Sequence, residues 1–340
     1  MTGRGSVVDS VSFHKLLSDL RNDQNLTVQI FETASRVGLT DESAEWAIGD
    51  IEAGILGSDE VAHLKFGRNA SRVSNATGVR LIQTIAGIQT KSAAVTALNL
   101  LMDRIEIPGS SDPSREEILL DLLSQLSQYP LSGMDEHIWE LASQRALNRG
   151  YVKHVADSSL NLLNLESHDY HGQSGWKILL SAIKMDSSTS WKSMAYWLER
   201  SDPMTQFKFS LGAQEPRMID AFKLDDVSNW IGSSTARAET IGRMAAAHES
   251  PLNELARWLL ITFGAEGSVA DVLTSRAHST PGALWGPVSN FAKTQMEMAA
   301  GWTDDPDKNV AEWAEARRRE FKKAYDADLA REEHRDLRNN

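Results

Sequence analysis

Apolar residues recur along this chain at steps of three and four. Val28, Ile30, Phe31, Ala34 and Val37 make one stripe, closed by Gly38, and Ala44, Trp46, Ala47, Ile48 and Ile51 make the next. A repeat near 3.6 residues puts such side chains on one face of a helix and leaves the other face to water. Thr40-Asp41-Glu42-Ser43 opens the second stripe with a capping residue and early acids, and Gly54 ends it. The same spacing predicts helices over 11–20, 58–66, 79–88, 95–105, 118–126, 138–147, 152–163, 176–185, 191–200, 218–222, 227–231, 236–247, 252–263, 269–273 and 284–302. The pattern is weakest from 207 to 216. Period-two alternation and Asn-Gly turns, the marks of strands and hairpins, are missing. The chain reads as all-α.

Proline punctuates this pattern. Asp112-Pro113, Asp202-Pro203, Ser250-Pro251 and Asp305-Pro306 each set a capping residue before a proline at the first helical position, where the missing N–H costs nothing. Tyr129-Pro130 stops a helix, Pro281-Gly282 breaks another, and Ile107-Pro108-Gly109-Ser110-Ser111-Asp112 is the clearest break in the first half. After Asp305, Val310, Trp313, Ala314, Arg317 by its stem, Phe321, Ala324 and Leu329 line one face of a long final helix, with charge on the others.

Asp305-Pro306-Asp307-Lys308-Asn309-Val310, followed by Trp313-Ala314, resembles the second-helix signature of HEAT-like repeats. Elsewhere the likeness is one of helix length and punctuation. The resemblance implies a HEAT-like α-solenoid of antiparallel helix pairs with a long C-terminal capping helix, a fold whose members mostly bind other macromolecules; it carries over no functional residue. Helix-pair repeats of this kind run about 40–47 residues, which suits degenerate repeats between the proline starts. The expected organisation is a flexible leader over 1–8, helical repeats over 9–108 and 109–303, and a capping helix and tail over 304–340, as one continuous array.

Composition narrows the function classes. The chain has 340 residues, 41% of them hydrophobic, enough to bury a core. Its 47 acidic against 35 basic residues give a net charge of -12, which argues against a generic nucleic-acid binder. With no cysteine, disulfides, thiolate metal sites and cysteine nucleophiles are excluded, and a cytoplasmic location fits. Met1-Thr2-Gly3-Arg4-Gly5-Ser6 has no apolar core after it and is not a signal peptide, and no apolar run reaches the roughly 18 residues of a membrane span.

Candidate chemistry is sparse. Asp305, Asp307 and Asn309 begin like a calcium loop, but Val310 and Ala316 stand where glycine and a bidentate glutamate are needed. His168-Asp169-Tyr170-His171 holds two imidazoles and a carboxylate in what reads as a polar loop. His248-Glu249 does not match the zinc helix pattern, there is no phosphate-binding glycine loop, and Gly172-Gln173-Ser174-Gly175 lacks the spacing of a nucleophile elbow. Asn25-Leu26-Thr27, Asn69-Ala70-Ser71 and Asn75-Ala76-Thr77 are formal glycosylation acceptors without consequence in the absence of a signal peptide.

Two surfaces remain as partner contacts. One is the basic run on the last helix, including Arg318 and Lys322, which neighbouring Glu315, Glu320, Asp326 and Asp328 offset. The other is Trp197 with Arg200, where Trp197 lies off the stripe of Trp191, Met194 and Leu198; the competing reading, which the pattern favours, makes it a core residue. The sequence thus points to a non-catalytic scaffold or sensor module for a protein partner, with no cofactor and no membrane. The rival readings are a helical-repeat nucleic-acid binder resembling the solenoid DNA glycosylases, and a structural subunit of a homo-oligomer.

Overall fold

A computed structural model describes residues 17, 19–20, 26–65, 73–105, 113–165, 173–202, 206, 218–245, 252–278 and 288–339. Among the described residues there are sixteen α-helices, two short 3-10 turns and no strand. The chain divides into two compact units, Met1–Met185 and Asp186–Asn340. The expected break near 108 is not where the units meet, because helices on its two sides pack directly on each other.

The first unit contains α1 (Thr27–Val37), α2 (Asp41–Glu52), α3 (Ser58–Val61), α4 (Asn75–Ala86), α5 (Lys91–Ile105), α6 (Pro113–Leu126), α7 (Met134–Asn148), α8 (Val152–Leu165) and α9 (Gln173–Met185). Local chemistry sets several of their ends. Thr40 and Ser43 form a reciprocal capping box at the start of α2, and Gly38 closes α1 at φ 103°. The helix predicted from 79 begins earlier, at Asn75, because the Ser74 hydroxyl accepts from Thr77 N at 3.4 Å. Gln89 takes a left-handed φ of 56° in the turn after α4, and the Tyr129 hydroxyl donates to its carbonyl at 2.9 Å.

From α4 to α9 each helix packs on its next and its next-but-one neighbour in sequence. The interior is aliphatic. Ala93, Ala94, Val95, Ala97, Leu98, Leu100 and Leu101 bury α5 on all sides, and Leu119, Leu122, Leu123 and Leu126 of α6 are buried, as is Trp139 of the neighbouring α7. Each large apolar side chain buried in this way contributes about 1.5–3 kcal/mol. Trp139 satisfies its indole N–H on the Leu123 carbonyl at 3.4 Å.

Polar contacts between helices repeat at a characteristic separation. Ser74 N donates to Asp41, 33 residues back; Lys91 to the Pro130 carbonyl, 39 on; Arg145 to the Met102 carbonyl, 43 back; Ser174 N to Glu136, 38 back. One clasp occurs twice. Asp41 and Glu45, one turn apart on α2, hold Ser74 N and Arg80 of α4, at 2.6 and 2.7 Å. Glu136 and Glu140, one turn apart on α7, hold Ser174 N and Lys177 of α9.

The second unit contains α10 (Ser187–Arg200), α11 (Leu224–Ile231), α12 (Thr235–Gly242), α13 (Glu254–Phe263), α14 (Ser268–His278), α15 (Val288–Ala300) and α16 (Lys308–Asn339). Its core adds aromatic rings to aliphatic side chains such as Ile231, Ile241, Leu259 and Leu273. Trp191 sits edge-on to Phe222 at 5.0 Å and to Trp230 at 5.8 Å, while Trp302 stacks on Trp313 at 5.8 Å. Trp302 follows α15 and Trp313 lies near the start of α16; at the other end of α15, Ser289 is held by Glu332, far along α16. This pair folds back on itself.

Two helix starts differ from expectation. Asp307, not Asp305, caps α16: its Oδ1 accepts from Asn309 N at 2.9 Å and Val310 N at 3.3 Å. Asp305 is taken by Arg257 of α13, whose Nε and Nη2 donate to its two oxygens at 2.9 and 2.8 Å. α13 begins at Glu254 with Asn253 as cap, so Leu252 precedes the helix; Ser250 and Pro251 lie outside the described residues, as do Pro203, the 207–216 segment and Pro281-Gly282. On α16, Val310, Trp313, Ala314 and Phe321 are buried as the stripe predicts, Arg317 pairs with Glu320 at 2.5 Å, and Leu329 is exposed.

Candidate interaction surface

Helix α10 begins at a strong cap. Asp186 accepts from Thr189 N at 3.0 Å and from the Thr189 hydroxyl at 2.6 Å, and these bonds hold its carboxyl below the usual carboxylate range. Period 3.6 then separates two faces. Trp191, Met194, Ala195, Trp197 and Leu198 turn inward, while Lys192, Tyr196, Glu199 and Arg200 face solvent. Trp197 is only 7% exposed, so it is a core residue and leaves the set of surface candidates. Its position off the Trp191 stripe does not bring it to solvent, because the inward face of α10 is broad enough to include it.

Tyr196 is 59% exposed, the most open of the large apolar side chains among the described residues. The Arg200 guanidinium lies over its ring, 4.9 Å from the centroid, and donates to its hydroxyl. One turn of chain away, Glu199 accepts from the indole N–H of Trp230 at 3.2 Å and from Arg237 Nη2 at 2.7 Å. Arg237 covers the Trp230 ring at 4.8 Å and donates through Nη1 to the Trp230 carbonyl at 2.7 Å. Trp230 in turn rests on Trp191. The result is a surface of two arginine-covered rings, built from α10, α11 and α12 and anchored on the core through Trp191.

Of the residues singled out in the sequence, Arg200 stands on this surface. Arg318 and Lys322 stand on α16 and are exposed, each paired within its own helix: Arg318 with Glu315 at 3.6 Å and Lys322 with Asp326 at 2.9 Å. Tyr196, Glu199, Trp230 and Arg237 escaped the sequence reading. The step of four from Tyr196 to Arg200 was visible; the meeting of Glu199 with Trp230 and Arg237 depends on how three helices pack.

Other sites carry less. A crease between α1 and α2 is lined by Thr27, Ile30, Phe31, Ala34, Trp46 and Asp50. Among the described residues no three His, Asp or Glu side chains gather as a metal site would need, and no helix is long and apolar enough to cross a membrane. His168-Asp169-Tyr170-His171 and Arg4 with the rest of the 1–8 leader lie outside the described residues. No family model, curated protein or solved structure matches this chain.

Proposed function

We propose that this chain is a non-catalytic, HEAT-like helical-repeat scaffold that holds a protein partner on the α10–α12 surface. The observation that carries the reading is the exposed Tyr196–Arg200 pair beside Trp230–Arg237, since tyrosine, tryptophan and arginine are the residues that dominate the energy of protein interfaces. The repeat reading is supported by next-but-one packing from α4 to α9 and by polar contacts at separations of 33 to 43 residues, the pattern expected when each helix pair meets only its neighbours. In this reading α16 is the cap of the array, its first turns apolar on one face and its outer faces laced with ion pairs.

The test is cross-linking of the tagged full chain in its native host, followed by mass spectrometry. A reproducible protein partner joined through peptides of α10–α12 is the expected result. A chain recovered alone at endogenous levels, or one cross-linked chiefly to nucleic acid, overturns the scaffold reading.

A further inference from the structure

We propose that the occupant of the α10–α12 surface is an acidic peptide segment, carrying two or more carboxylates beside an apolar side chain; this rests on the scaffold reading above. Arg200 carries the argument. Among the described residues it makes no ion pair, and its guanidinium lies over the Tyr196 ring and donates to the Tyr196 hydroxyl. A guanidinium fixed in this way keeps its outward N–H groups free and loses little freedom on pairing with a carboxylate. Arg237 differs: Glu199 already occupies it, at 2.7 Å. The surface therefore offers one open cationic fork, Lys192 two turns before it, and the open face of Tyr196 for an apolar neighbour.

Charge selects the kind of partner. A chain of net charge -12 repels a long polyanion. Nucleic-acid binding would need a cluster of cations along the phosphate backbone, and here one arginine of the pair is already neutralised. A peptide with a few carboxylates needs only the short-range fork, and beyond about 8 Å the remaining repulsion is screened at physiological salt.

The test uses the purified full chain and fluorescence anisotropy with three labelled probes: a short synthetic peptide of aspartates flanking leucine, the same peptide with asparagine for aspartate, and a single-stranded oligonucleotide of equal charge. We expect binding of the acidic peptide alone, weakened by salt. Arg200→Glu and Tyr196→Ala should each weaken it about tenfold or more, as loss of a central interface anchor does. Arg318→Glu should leave it unchanged. Unchanged circular dichroism in both surface variants confirms that the fold is retained. Equal binding of the neutral peptide or the oligonucleotide, no binding of the acidic peptide, or indifference to Arg200→Glu overturns the proposal. So does self-association that Arg200→Glu abolishes, since a second copy would then be the occupant. If the acidic peptide fails while a cross-linked protein partner survives Arg200→Glu, the scaffold reading stands and this inference falls; if no partner is found either, both fall.

Discussion

The two units solve the same packing problem with different side chains. Three of the ten tryptophans, Trp46, Trp139 and Trp176, lie in the first unit, so seven lie in the second. From α4 to α9 the first unit stacks helices of 12 to 15 residues through Ala, Leu, Val and Ile, with polar clasps at the rims. The second unit relies in part on α11 and α12, of 8 residues each. Helices shorter than about 12 residues are marginal alone and need large buried contacts to hold them. Rings supply part of these contacts, because one Trp buries more area than any single aliphatic side chain. The consequence shows at the surface: Trp230 of the short α11 rests on Trp191 and has Arg237 over its ring.

The comparison breaks most visibly at the last helix pair. Deleting 304–340 removes Trp313 and Phe321 and uncovers Trp302 and the inner face of α15. The truncated chain should aggregate or bind a hydrophobic dye, followed by size-exclusion chromatography and fluorescence. A soluble monomer with an unchanged thermal midpoint would show that the second unit does not depend on this aromatic stack. Within the intact chain, Trp313→Ala should cost about 3–5 kcal/mol in denaturant unfolding. Trp313 is fully buried, stacks on Trp302 and donates to the Thr274 hydroxyl at 3.2 Å, so nothing nearby can refill its place.

A smaller effect tests the clasp between α13 and the start of α16. The hydrogen bonds from Arg257 hold the Asp305 carboxyl below the usual carboxylate range, against a smaller opposing effect of burial. A carboxyl with a lowered folded pKa binds fewer protons folded than unfolded. Its contribution is therefore present above the ordinary value of about 4 and is lost as pH falls through the folded value. Because the Arg257 side chain is 37% exposed, solvent discounts the pair to about 1 kcal/mol. Asp305→Asn should lose that much at neutral pH and flatten the acid limb of stability below pH about 4. The amide can still accept from Asp307 N, as Asp305 does at 2.9 Å, so the turn itself is kept.

Helix positions were largely legible from residues alone, because each buried stripe is carried by its own sequence: Ile118, Leu119, Leu122, Leu123 and Leu126 are buried as their spacing requires. Starts were less so. Asp305-Pro306 looked like a cap and first residue, yet Asp305 was claimed by Arg257, 48 residues away, and the cap passed to Asp307. Local capping chemistry does not reveal a competing long-range partner. The same limit hid the candidate surface. Arg200 stood out beside Trp197, but the exposed ring is Tyr196, and Trp230 with Arg237 joins it only through Glu199.

The rim clasps of the first unit give the smallest effect and the sharpest contrast. Glu140 with Lys177, and Glu45 with Arg80, are pairs in which the cation is mostly exposed. Exposed ion pairs contribute about 0.2–1 kcal/mol, because the charges were well solvated before pairing and holding them costs side-chain freedom. A double-mutant cycle on Glu140→Gln and Lys177→Met should give a coupling of about 0.5 kcal/mol that fades with salt. That outcome makes the recurring separation of polar contacts a consequence of helix stacking, with the stability of the stack residing in residues such as Leu119 and Trp139. A coupling several times larger would reverse the order of cause: the clasps would be setting the register of α7 against α9, and the aliphatic interior would be following it.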